Sequence, residues 1–233
     1  MIDRSLNYGR HHIRSFLVQS QPFQTVLDLG AGSGTDLLLA SEINPASQRI
    51  AVEVHPPNVA KLRGIASGVF SINIECEPLP FEEGQIDVVI ANQVLEHMKE
   101  IFWIFHEVSR VLPVAGKFII GVPNLAALHN RILLLLGQQP SPIKTASAHI
   151  RGFTKPDLLR FANSCFPGGY ELVAWGGSNF YPFPAAVARG LASLFPSLAW
   201  GIFLLLEKKK EYRGEFLHYP VAEQLETNFF LGI

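Results

Sequence analysis

A buried-strand run followed at once by three glycines at alternate positions, Val26-Leu-Asp-Leu-Gly-Ala-Gly-Ser-Gly34, constrains this chain more than any other feature. Glycine adopts positive φ without penalty and puts no Cβ between the main chain and a ligand. The turn opens an expected helix over 35–43, whose unpaired N–H groups face whatever sits there. Strand, glycine turn and helix in that order form the opening unit of a parallel α/β sheet. The spacing then sorts ligands. The dinucleotide pattern G-x-G-x-x-G would require glycine at 35, where Thr35 stands. Asp28 on the strand suits a ligand with positive charge and would repel a diphosphate. Glu53 follows about twenty residues beyond the turn, at the end of a second strand, where a carboxylate can accept both hydroxyls of a ribose. A tight turn with no ligand is the competing reading.

The first two-thirds of the chain alternate strand-like and helix-like segments. Strands are expected over 25–29, 49–53, 69–72, 85–91 and 117–121, with helices over 35–43, 57–63 and 101–112. Beyond them the pattern predicts helices over 125–136 and 155–163 and strands over 170–175 and 199–207. With 233 residues, 48% hydrophobic and 17% charged, one domain around one large core is expected. The net charge of -1 offers no basic face for nucleic acid. Cys76 and Cys165 lack metal-ligand spacing and read as reduced thiols of a cytoplasmic protein. Met1-Ile-Asp-Arg-Ser-Leu carries no apolar signal-peptide core. Residues 185–206 are long enough to span a bilayer and hold one charge, Arg189. Pro196-Ser197 divides them into a helix-like half and a strand-like half, so a buried strand is expected and no stable membrane insertion.

Three further segments carry a family resemblance: Glu75-Cys-Glu-Pro-Leu-Pro-Phe81, Ala91-Asn-Gln-Val-Leu-Glu-His-Met98 and Phe105-His-Glu-Val-Ser-Arg-Val-Leu112. With the glycine turn they resemble, in the correct order, the class I S-adenosylmethionine-dependent methyltransferases, in particular their small-molecule group with "LPF" and "LEH" segments. The resemblance runs from about residue 25 to 122 and more loosely through 153–166. It implies a doubly wound, Rossmann-like, mostly parallel seven-stranded sheet whose last strand is antiparallel. It also implies S-adenosyl-L-methionine as cofactor. Asp28, Gly30, Gly32 and Gly34 would hold its methionine part, Glu53 its ribose, Glu75 and the Cys76 main chain its adenine, and Asn92 would lie beside its amino group. Family members usually have aspartate where Glu75 stands.

Methyl transfer from a sulfonium is an in-line displacement, so the enzyme chiefly positions the acceptor atom. An oxygen or nitrogen acceptor also needs its proton removed, and His97, just beyond the fourth strand, is the candidate base. Packing at the start of the next segment is the other reading of His97. Ubiquinone-pathway O-methyltransferases resemble this segment but carry glutamate, glutamate and histidine at the positions of Gln93, Glu96 and His97. Neutral Gln93 is a poor donor for a hard cation, so no obligatory metal is expected. Residues 124–153 form an insertion expected to be the acceptor lid, with His149 and Arg151 orienting the acceptor or pinning the lid. Tyr8, His11 and His12 would close from the other side. The run Ile132-Leu-Leu-Leu-Leu136 reads as a core helix, a homodimer contact or a greasy lid. The acceptor is then a small molecule, a glycan or a lipid-linked compound. Two alternatives stay open: a binding module that keeps the cofactor but not the chemistry, and an NAD-linked oxidoreductase.

Overall fold

The structure is a computed structural model and describes residues 4–225. Seven strands form one sheet: β1 (Thr25–Leu29), β2 (Gln48–Val52), β3 (Gly68–Phe70), β4 (Val88–Asn92), β5 (Lys117–Pro123), β6 (Tyr170–Ser178) and β7 (Gly201–Lys208). Their spatial order is β3-β2-β1-β4-β5-β7-β6. Pairings from β3 through β5 are parallel, and β7 runs antiparallel to both of its neighbours. This is the expected doubly wound sheet. The run Ile202-Phe-Leu-Leu-Leu206 is fully buried in β7, which accounts for the bilayer-like hydropathy of 185–206. A strand covered on both faces must be apolar throughout. No helix among the described residues is long and apolar enough to cross a membrane.

Among the described residues eight α-helices flank the sheet: α1 (Arg10–Gln19), α2 (Thr35–Ile43), α3 (Pro56–Leu62), α4 (Ile101–Val111), α5 (Leu128–Leu135), α6 (Lys155–Cys165), α7 (Ala185–Leu194) and α8 (Glu215–Ala222). Two cores fill the layers. One joins Leu27, Val89, Phe118 and Leu204 to Phe105 of α4, Leu158 of α6 and Phe216 of α8. The other joins Val26, Ile90, Ile119 and Phe203 to Ile13 and Leu17 of α1 and Leu37 of α2. Strand residues alternate between these cores, as the two-residue side-chain period requires.

Local chemistry sets the boundaries. Asn44 ends α2 ahead of Pro45, prolines 56 and 57 open α3, and the Thr154 hydroxyl accepts the Asp157 N–H to cap α6. Buried Lys208 donates to the carbonyls of Ser109 and Leu112, satisfying the C-terminal end of α4. The expected 125–136 helix is shorter, because Asn124 is held outside it. Its side chain donates to the carbonyls of Ser197 and Ala199 and accepts from Ala126 N–H, so the helix starts at Leu128.

Candidate active site

The glycine turn leaves β1 at its carboxyl end with Gly30, Gly32 and Gly34 at φ 63°, 53° and 82°. A Cβ on Gly30 would fall 2.8 Å from Val94, and one on Gly34 2.9 Å from Leu62. At Gly32 nothing lies within 4 Å of that position. Gly32 is therefore the glycine that faces open space, its main chain exposed to a ligand. Its N–H donates to Glu53 Oε2 at 2.7 Å, while Glu53 Oε1 accepts His55 N–H at 2.8 Å. Both main-chain bonds fix the Glu53 carboxylate beside the turn. Asn58 adds a longer contact at 3.4 Å.

Two cavities meet at Gly30. One, of about 130 Å³, is polar and lined by Tyr8, Arg10, Asp28, Gly32, Asp36 and Asn92 among others. The second, also about 130 Å³, is an apolar slot between Val52, Ile72, Ile74, Val94 and Met98, with Glu53 at its rim. A polar chamber, a carboxylate and a flat apolar slot in sequence match an amino acid, a ribose and a purine joined end to end.

The polar chamber is acidic. Burial, then Asp36 and Glu53, hold the Asp28 carboxyl well above its ordinary value. Burial also raises Asp36, against the Asn92 amide and the Arg10 guanidinium, which pull the other way. The Asn92 Nδ2 donates to Asp36 Oδ2 at 2.8 Å and to the Tyr8 carbonyl at 3.0 Å. Arg10 Nε stands 3.7 Å from Asp36 Oδ1, and its guanidinium lies 4.6 Å over the Tyr8 ring. Asp36 sits in the first turn of α2, where a helix would otherwise attract an anion. An unpaired positive charge fits here, and a diphosphate does not.

Arg10 and Asp36 were not legible as site residues, since nothing local ties 10 to 28, 36 and 92. The signal was present at Gly9, whose absent Cβ would fall 2.3 Å from the Phe203 ring. With φ at 50°, Gly9 lets α1 start directly against β7 and brings Tyr8 and Arg10 to the chamber. His12 behaves otherwise than expected. Its Nε2 pairs with the Gly177 carbonyl at 2.9 Å and its ring stacks between Phe16 and Phe203, so it packs instead of closing over the cleft. His11 lines a separate cavity with Arg10 and Arg189, and burial, His12 and Arg189 push its pKa down to about 4.

Glu75 takes the Lys99 and Glu100 N–H groups on Oε1, at 2.5 and 3.3 Å, which ties it to the start of α4. Cys76 is exposed. The Leu79-Pro-Phe81 segment is pinned by α4: Glu107 accepts the Leu79 N–H, and Arg110 donates to the Leu79 and Phe81 carbonyls. These motif residues thus hold the wall of the apolar slot.

On the other side of β4, a single 3-10 turn (Leu95–His97) carries Glu96 and His97. His97 Nδ1 is 3.3 Å from the Ala148 carbonyl, and its ring meets His149 edge-on at 4.6 Å. Glu96 is 1% exposed, both its carboxylate oxygens lack hydrogen-bond partners, and burial pushes its pKa up to about 8. Ligand atoms of Glu96, His97 and His149 lie within 4.8 Å of one another, close enough for one ion. Arg151 donates to the carbonyls of Met98 and Lys99, and the Ile150 and Arg151 N–H groups reach the Glu96 carbonyl. Its guanidinium is therefore engaged in joining residues 148–151 to the turn.

The acidic chamber and the apolar slot lie together at the carboxyl ends of β1, β2 and β4. Residues 27–120 match the model of the methyltransferase domain family. A 37.1 kDa transposon protein of Streptomyces fradiae is 30% identical over 115 residues, 48% of this chain and 33% of that protein. The arsenite methyltransferase of Halobacterium salinarum is 33% identical over 102 residues, 41% of this chain and 26% of that enzyme. The chain thus spans about a third or less of these relatives' lengths. A methyltransferase structure from Archaeoglobus fulgidus shares the fold with a TM-score of 0.61 at 15% identity, covering 88% of this chain and 95% of that one.

Proposed function

We propose that this chain is an S-adenosylmethionine-dependent methyltransferase acting on a small-molecule, glycan or lipid-linked acceptor. The observation that carries the reading is the meeting of the acidic chamber and the apolar slot at Gly30, with Glu53 fixed between them. S-adenosylmethionine has a cationic sulfonium and amino group at one end and a purine at the other, and each finds its complement. Asp28 and Asn92 take the methionine end, Glu53 the ribose, and the main chain near Cys76 the adenine edge.

The acceptor enters from the side of Tyr8 and residues 124–153. This segment closes on itself where Leu125 N–H donates to the Phe153 carbonyl, and it serves as the lid. His97 accepts the acceptor's proton as the methyl group transfers in line, and His149 orients it. Positioning of this kind supplies roughly 7–11 kcal/mol of barrier lowering, and with neutral Gln93 a poor donor for a hard cation no metal is obligatory. Loss of turnover on chelation, restored by magnesium, would remove that last clause.

Calorimetric titration with S-adenosylmethionine, S-adenosylhomocysteine and NAD tests the reading. Binding of the first two but not the third is expected, weakened about tenfold to a hundredfold in Glu53→Ala, as loss of hydrogen bonds to a charged acceptor implies. NAD binding in preference would establish the oxidoreductase alternative. Cofactor binding without methyl transfer to any acceptor class would favour the non-catalytic module.

A further inference from the structure

The chain has 20 carboxylate side chains, and none falls in residues 124–153 or 179–200. These two stretches connect β5 to α6 and β6 to β7, and both leave the sheet at the same edge, since β5 and β6 each run antiparallel to β7. They also meet: Leu128 of α5 packs on the cluster formed by Ala188, Ala192 and Phe180. Together they make a cap over the edge where the cofactor cleft opens.

The cap is apolar on its outside as well. Leu135 and Leu136 at the end of α5 are 86% and 67% exposed, and Leu194 and Phe195 at the end of α7 are 74% and 51% exposed. Ile132, Leu134, Phe183 and Val187 are exposed in the same two stretches. Among the described residues outside these stretches, exposed large apolar side chains are isolated along the sequence, which is ordinary. Here they run together along the chain, as Leu134-Leu-Leu136 and Leu194-Phe195, and the charges among them are cations only: exposed Arg131, Lys144 and Arg189. None of these three forms an ion pair with another described residue.

We infer that this cap is a peripheral docking face for an anionic lipid bilayer. Exposed leucine and phenylalanine beside unpaired arginine and lysine, with carboxylates excluded, is the composition that lies in a membrane interface: the apolar side chains enter the acyl boundary and the cations meet lipid phosphates. Self-association is disfavoured on charge, since the cap would bring its own cations together. The chain lies on the membrane and does not span it. The inference stands apart from methyl transfer, because vesicle binding and cofactor binding are measured separately.

The test is flotation of the purified full chain with vesicles of phosphatidylcholine alone and of phosphatidylcholine mixed with phosphatidylglycerol, at low and high salt. Binding to the mixed vesicles, weakened by salt, is expected. The double variant Leu135→Glu/Leu194→Glu should lower partitioning by at least about tenfold, and Arg131→Glu/Arg189→Glu should abolish the preference for anionic vesicles. Retained S-adenosylmethionine binding shows that the variants fold. Absence of binding to either vesicle, or binding indifferent to both variants, overturns the inference. A wild-type dimer in solution that Leu135→Glu/Leu194→Glu converts to monomer overturns it in favour of self-association.

Discussion

The two sides of the cleft are built by opposite means. The cofactor side, from β1 to β4, is assembled from main-chain geometry and carboxylates: three glycines at positive φ, Glu53 held by two N–H groups, and Asp28 and Asp36 crowded in one chamber. The cap side contains no carboxylate and relies on apolar contacts and buried amides such as Asn130, which donates to the Asn124 carbonyl and accepts from Ser141. The first side is fixed before any ligand arrives. The second consists of connections whose helices end in leucines left exposed by the other described residues.

The largest break in this contrast comes from Gly32→Arg. The side chain enters open space, so the fold should persist at a cost of about 1–2 kcal/mol for the left-handed backbone, while cofactor binding is lost beyond detection. Loss of folding as well would show that the turn is structural. Next, His97→Ala should cut turnover about a hundredfold, the usual contribution of a positioned base, and leave the Kd for S-adenosylmethionine unchanged. Unchanged turnover would remove His97 from the mechanism.

A smaller effect is expected of Asn130→Ala, which orphans the groups it pairs at a cost of about 1–3 kcal/mol. Hydrogen exchange should speed up in residues 124–153 and stay as it was around the glycine turn. Uniform loosening would mean that the two sides are one cooperative unit.

The gentlest probe is pH. The Asp28 and Asp36 carboxyls stand above their ordinary values in the fold, so the protonated forms are favoured there. Their contribution to stability is present below the unfolded carboxylate value and is lost as pH rises through the raised values. A cationic cofactor needs them ionised. S-adenosylmethionine affinity should therefore rise with pH over the same window in which the melting temperature of the unliganded protein falls. Affinity that is flat across that window would mean that these carboxylates do not face the cofactor's charge.

Most of the fold was legible because periodicity and turn chemistry act locally. Strand β1 and helix α2 fall where alternation, Asn44-Pro45 and the glycine turn put them. Helix α1 escaped notice, since Ile13, Phe16 and Leu17 sit among histidines and arginines that dilute its apolar stripe. Helix α8 escaped because Pro220 lies inside it. In the site, Gly32 and Glu53 were readable because a main-chain motif and a strand end mark them. Arg10 and Asp36 were not, because their meeting depends on where α1 lands on β7. Glu75 had been assigned to adenine by resemblance, but its longer side chain reaches the Lys99 and Glu100 N–H groups. No local pattern encodes how the connections 124–153 and 179–200 come together.

The placement of β7 between β5 and β6 also governs the order in which the molecule can be completed on the ribosome. Strands β1 to β5 can pair as they emerge, but β6 has no neighbour until residues 201–208 have been made. In the interval β5 presents an unpaired, apolar edge, the kind that recruits other nascent chains. A substitution that delays entry of β7, such as a charge at Leu204, would show its main effect in the yield of soluble protein during synthesis. The chains that did finish would be far less affected in their chemistry, because the glycine turn lies three strands away.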